Sequence, residues 1–134
     1  MPRQTIVRLV LIADHDVNVR RFVDATLSPL GYVVRHARDG SDALSILVET
    51  SASRSPVSVL LLALNMPYFP GLSVLLAMRS AGLDIPTVAI TDHDDPTIAA
   101  RAHRFGARLV LRKPLEPSSL RAAADGAGGV RVLS

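Results

Sequence analysis

Short apolar runs and longer amphipathic stretches alternate five times along this chain, and the alternation leaves few architectures open. Residues 6–13, 32–36, 57–62, 87–91 and 109–111 are rich in Val, Ile and Leu and read as strands. The first is interrupted only by Arg8. Between them, residues 17–27, 41–49 and 72–81 carry helical spacing, with Val19, Phe22, Val23 and Leu27 on one face of the first and Ala43, Leu44, Leu47 and Val48 on one face of the second. Pro29 and Gly31 close the first helix and Gly82 ends the third. Asp95-Pro96 is a cap followed by a first-turn proline, which predicts a helix running to Phe105 and stopped by Gly106. Pro117 and Ser118 open a last helix of about two turns, ended by Asp125-Gly126.

Near-continuous apolar strands joined by helices predict a parallel sheet covered on both faces. Right-handed crossovers then give a doubly wound, flavodoxin-like (βα)5 sheet of order 2-1-3-4-5. One α/β domain is expected over residues 5–125, with a glycine-rich, flexible tail over 126–134. At 49% hydrophobic and 20% charged residues, a folded core is favoured over disorder. The apolar runs are too short to span a bilayer, and residues 1–5 lead into the first strand without an export signal. Absence of cysteine excludes disulfides and thiolate metal sites and fits a cytoplasmic location. A formal charge of +3 is too mild to argue for nucleic acid.

In doubly wound sheets, chemistry gathers at the carboxyl ends of the strands. The residues expected there are Asp14, His15 and Asp16, then Ala63 to Asn65, Thr91 and Asp92, and Lys113. Around them lie Leu11-Ile12-Ala13-Asp14, Asp39-Gly40-Ser41-Asp42-Ala43-Leu44, Asn65-Met66-Pro67 with Gly71-Leu72, Ile85-Pro86 with Ala89-Ile90-Thr91, and Gly106-Ala107 with Lys113-Pro114. Each motif alone is weak. In this order and spacing, from about residue 6 to 125, the chain resembles the response-regulator receiver domains, CheY-like modules of two-component and phosphorelay signalling. Members of that family place acids after strand one to hold Mg²⁺, a phosphoacceptor aspartate after strand three, a hydroxyl after strand four and a lysine after strand five. The metal and the lysine offset charge on the incoming phosphoryl group.

Three departures stand out against the family pattern. Ala63 occupies the phosphoacceptor position, His15 the second acidic position, and Val110 the position of the aromatic residue that reports phosphorylation. A methyl group accepts no phosphoryl group, so the resemblance implies a pseudo-receiver, and no enzyme. Mg²⁺ would be expected if position 63 were aspartate. Here the family's ligands shrink to a weak set of Asp14 and the backbone of Asn65, with Asp16 as a compensating ligand unless its expected role as cap of the first helix turns it elsewhere. With few carboxylates competing, Lys113 is expected to pair directly with Asp14, and no cofactor is expected. Two origins remain open at this point. His15 and Val110 fit a natural degenerate receiver, whereas the retained Thr91 and Lys113 fit an acceptor-null form of a phosphorylatable one.

The resemblance implies action through protein partners: a sensor histidine kinase or phosphotransfer protein, and a downstream target. Arg101, Arg104, Arg108, Arg112 and Arg121 are expected on the face of helix four, strand five and helix five, which receivers use for docking or homodimerisation. The alternative is a nucleotide- or nucleic-acid-binding module built on those arginines, with solvated side chains as the plainer reading. Tyr68-Phe69-Pro70 places two aromatics in the loop beside the site. A dinucleotide site is excluded because no G-x-G-x-x-G follows strand one.

Overall fold

The computed structural model describes residues 8–127. Its elements follow the order β1 (Leu9–Ala13), α1 (Val17–Leu27), a 3₁₀ turn (Ser28–Leu30), β2 (Val33–Ala37), α2 (Gly40–Ser51), β3 (Val57–Ala63), α3 (Gly71–Ser80), β4 (Thr87–Thr91), α4 (Pro96–Arg104), β5 (Leu109–Arg112) and α5 (Pro117–Ala127). All neighbouring strands are parallel, in the order β2-β1-β3-β4-β5. Residues 5–7 of the expected domain and 128–134 of the expected tail lie outside the described residues.

Every residue of β1 and β4 is buried, and so is β3 except at Ser58. One face of the sheet, with Leu11, Leu60, Leu62 and Ala89, packs under α2, α3 and α4. The other, with Val10, Ile12, Leu61, Val88 and Ile90, packs under α1 and α5 through Val23, Leu27, Leu120, Ala123 and Ala124. A register shift between Leu9 and Val10 inserts Ser58 into β3, so Val57 and Val59 serve opposite faces.

Two helical faces differ from expectation. The buried stripe of α1 is Arg20, Val23 and Leu27, with Phe22 exposed at its edge and Val19 half-buried. In α2 it is Ala43, Ile46, Leu47 and Thr50, which leaves Val48 exposed. Both helices are rotated by about one residue from the face their apolar spacing suggests, because neighbouring stripes of such a helix carry similar hydrophobicity. Helix α5 runs three turns rather than two, and Gly126 belongs to it. Its last turn is tied down by Asp125, which accepts from Arg8 at 2.9 Å and from the Tyr32 hydroxyl at 3.2 Å.

Close packing fixes the loop after β3. A Cβ on Gly71 would collide with the Ala63 carbonyl oxygen and come within 2.8 Å of Leu64 Cα, and the Gly71 N–H donates to Leu64 O at 3.1 Å. Gly40 is equally confined, with Phe69 Cδ1 2.6 Å from where its Cβ would stand. Gly71→Ala is therefore expected to cost about 2–3 kcal/mol by overpacking against backbone that cannot yield, read by urea unfolding.

The edge strand β2 is held to α1 by His36 Nε2, 2.8 Å from Asp24 Oδ2, and to α2 by Arg35, 3.3 Å from Glu49. Hydrogen bonds from Ser28 and then from His36 hold the Asp24 carboxyl below its ordinary value. Because folding lowers this pKa, the contribution is complete above the ordinary carboxylate range and fades as pH falls through the depressed value. Asp24 is partly exposed, so Asp24→Asn should cost less than about 1 kcal/mol at neutral pH. The difference from wild type should vanish in strongly acidic solution, as measured by the pH dependence of urea unfolding.

Candidate functional site

The parallel ladder continues one residue past three of the strands and carries the site with it. Asp14 N–H donates to Ala37 O at 3.1 Å, Leu64 N–H to Ile90 O at 2.8 Å, and Lys113 N–H to Thr91 O at 2.8 Å. These bonds fix the backbone from which Asp14, Leu64 and Lys113 project along one end of the sheet. The peptide bond between Lys113 and Pro114 is cis.

Asp14 is the centre of the cluster and is 0% exposed. Its Oδ1 accepts the Asp16 N–H at 3.0 Å and lies 3.5 Å from His15 Nδ1, whose ring is half exposed. Its Oδ2 faces Lys113 Nζ at 2.9 Å, off the direction of a hydrogen bond but within ion-pair range. The same ammonium is 3.7 Å from Asp92 Oδ1 at the rim. A buried carboxylate is stable only when its charge is balanced, and Lys113 supplies that balance.

Beneath this pair lies a residue that the sequence reading passed over. Arg20 of α1 is buried, and its Nη1 donates to the Asp14 carbonyl oxygen at 2.7 Å, while its Nε is buried without a hydrogen-bond partner. Arg20 stands three residues before Val23 and seven before Leu27, on the stripe that packs inward, but that spacing alone does not tell it from the neighbouring stripe of Val19.

The remaining expected residues are occupied locally. Asp16 caps α1, its side chain accepting the Asn18 N–H at 2.8 Å. The Thr91 hydroxyl accepts the His93 N–H at 3.1 Å and lies 3.4 Å from the His93 carbonyl. Asn65 lies exposed in the loop after β3. Ala63 ends β3, buried and in register with Ile90 of β4. Val110, half-buried, packs inward on the core beneath α4. These donors do not suit Mg²⁺, which needs several oxygens in octahedral array. Among the described residues no three acidic or histidine side chains converge, and the Oδ2 of Asp14 already faces an ammonium.

The five arginines do not share one surface. Arg101 and Arg104 are exposed on α4, and Arg108 is exposed where β5 begins. Arg112 pairs with Asp94 at 3.3 Å. Arg121 departs from the expected face: with Asp125 it lies on the flank of α5 nearer α1, lining a cavity with Arg8, Leu30, Gly31 and Tyr32. A helix with Leu120, Ala123 and Ala124 inward turns residue 121 to that side. In the β3–α3 loop, Tyr68 has φ 65° and is fully exposed, and the Phe69 N–H donates to Pro67 O at 2.7 Å across it. Phe69 is partly buried against the core and, with Val74, closes over Gly40. Of the aromatic pair, one therefore packs and one projects.

Comparison with known proteins agrees with this geometry. Residues 10–125 match the response regulator receiver domain family. The response regulator MprA of Mycolicibacterium vanbaalenii is 35% identical over 105 residues, covering 78% of this chain and 43% of MprA. The sensor histidine kinase RcsC of Salmonella typhi is 30% identical over 113 residues, covering 84% of this chain and 11% of RcsC. The chain thus spans less than half the length of these curated relatives. Among solved structures, the Vibrio cholerae chemotaxis protein CheY4 superposes with a TM-score of 0.78 at 27% identity, covering 90% of this chain and 98% of that one. No helix among the described residues is long and apolar enough to cross a membrane.

Replacing Arg20 by Ala removes the donor to the Asp14 carbonyl and empties the space its stem fills. The expected loss is about 2 kcal/mol in urea unfolding. Arg20→Lys should recover only part of it, because an ammonium cannot reproduce the planar fork.

Proposed function

We propose that this chain, which belongs to the response regulator receiver domain family of two-component signalling, is a degenerate receiver that acts by binding protein partners without forming an acyl phosphate. The observation that carries this reading is Ala63. It ends β3, buried, where the family's order of motifs calls for the acceptor, and its methyl group holds no nucleophile. Acceptor chemistry also needs cations placed around the phosphoryl group. Lys113 is turned to Asp14, and the Thr91 hydroxyl is taken by the backbone of His93. With His15 and Val110 also off the family pattern, natural degeneracy is favoured over an isolated acceptor-null change.

The partners proposed are those of the family: a sensor histidine kinase or phosphotransfer protein upstream and a protein target downstream, in the cytoplasm. The exposed Arg101, Arg104 and Arg108, with Arg112 in its pair with Asp94, lie on the side proposed for such docking or for homodimerisation, whereas Arg121 belongs to another flank. The nucleic-acid alternative gains nothing from this distribution, because a split and partly paired arginine set presents no continuous basic track.

The test is phosphorylation by acetyl phosphate with Mg²⁺, read by intact mass. The wild-type chain should stay unmodified, while the double variant His15→Asp/Ala63→Asp should gain one phosphoryl group of acyl-phosphate lability. An acyl phosphate on the wild-type chain would sink the proposal.

A further inference from the structure

We infer that Lys113 is the resident cation of the strand-end pocket: its ammonium, rather than a divalent metal, neutralises Asp14 and leaves the site closed by the chain's own side chains. The inference deepens the reading above and rests on it, since it depends on position 63 adding no carboxylate.

Four observations carry it. First, Asp14 is 0% exposed, and a carboxylate with no access to water requires a counter-charge within the protein. Second, its two oxygens are both engaged, Oδ1 by the Asp16 N–H at 3.0 Å and Oδ2 by Lys113 Nζ at 2.9 Å. A divalent ion approaching Oδ2 would have to expel the ammonium, whose next carboxylate, on Asp92, is 3.7 Å away at the exposed rim. Third, Arg20 brings a second positive group to the Asp14 carbonyl at 2.7 Å, which makes the surrounding potential still less hospitable to Mg²⁺. Fourth, two of the groups that could complete a metal or phosphoryl site are engaged locally, Asp16 with the Asn18 N–H and Thr91 with the His93 N–H. A carboxylate at position 63 would compete for Lys113 and release Asp14; the methyl of Ala63 cannot. Stability and partner binding are then independent of Mg²⁺.

The experiment compares melting temperatures in MgCl₂ and in NaCl of matched ionic strength, for the wild-type chain and for His15→Asp/Ala63→Asp. The wild type should show no Mg²⁺-specific shift. The double variant should show a rise that grows with Mg²⁺ concentration, as mass action requires of a bound ion. Alongside, Asp14→Asn and Lys113→Gln should each lower the melting temperature, and their combination should lower it by clearly less than the two effects added. A Mg²⁺-specific rise in the wild type overturns the inference. Strict additivity of the pair overturns it as well, since no coupling would then join the two charges. A silent double variant also overturns it, because exclusion of the metal would then have a cause other than carboxylate count and lysine pairing. The two readings fail separately: an acyl phosphate on the wild-type chain removes the reading of position 63, whereas Mg²⁺-specific stabilisation without phosphorylation removes only the assignment of Lys113.

Discussion

Burial of a parallel sheet on both faces is the constraint from which the rest of this structure follows. Side chains of the three inner strands have helices above and below them, so they are apolar almost throughout. Polar groups can enter only where a strand ends, and in a parallel sheet all the carboxyl ends lie together. Asp14 and Lys113 meet at that end, and the Thr91 hydroxyl turns to His93 on the same end, because the sheet excludes polar groups elsewhere. The ladder bonds that run one residue beyond β1, β3 and β5 make the meeting rigid. Position 63 sits within this rigid end, its methyl buried and in register with Ile90 of the neighbouring strand.

The energetics of the site turn on one buried charge. Isolated in the protein, Asp14 would lose several kcal/mol of solvation, and an ion pair recovers this only with good geometry and further hydrogen bonds. Lys113 supplies the counter-charge at 2.9 Å, while the Asp16 N–H on Oδ1 and the Arg20 guanidinium on the adjacent carbonyl supply the hydrogen bonds; Oδ2 itself has none. Arg20 reaches the site from α1 and Lys113 from the residue after β5, so the pair joins the two ends of the domain's chain order.

How much was legible in the sequence depended on whether a residue's role is local. The caps Asp16 and Asp95 were readable because capping needs only the two or three residues that follow. The strand order followed from alternation and handedness, and the pairing of Lys113 with Asp14 from the number of charges left at the strand ends. Helical rotation was not readable. Whether α1 buries residue 19 or residue 20 depends on the neighbours it packs against, and the long stem of an arginine can satisfy an inward position that looks forbidden to charge. The position of Arg121 was missed for the same reason. The length of α5 was missed because Asp125-Gly126 reads as a stop, yet contacts from Arg8 and Tyr32, more than ninety residues away in sequence, hold the last turn.

A conformational switch needs an input that interacts differently with its two states, and a ligand with equal affinity for both shifts nothing. In a receiver that input is the new charge of the acyl phosphate. The Asp14–Lys113 pair is built from side chains present in every molecule, so by itself it supplies no such input. On the degenerate-receiver reading proposed above, the input would be a partner's contacts at the surface. The features that differ most from a bare sheet-and-helix scaffold are the projecting Tyr68, the exposed Val48 of α2 and the arginines of α4 and β5. None of them depends on the strand-end chemistry.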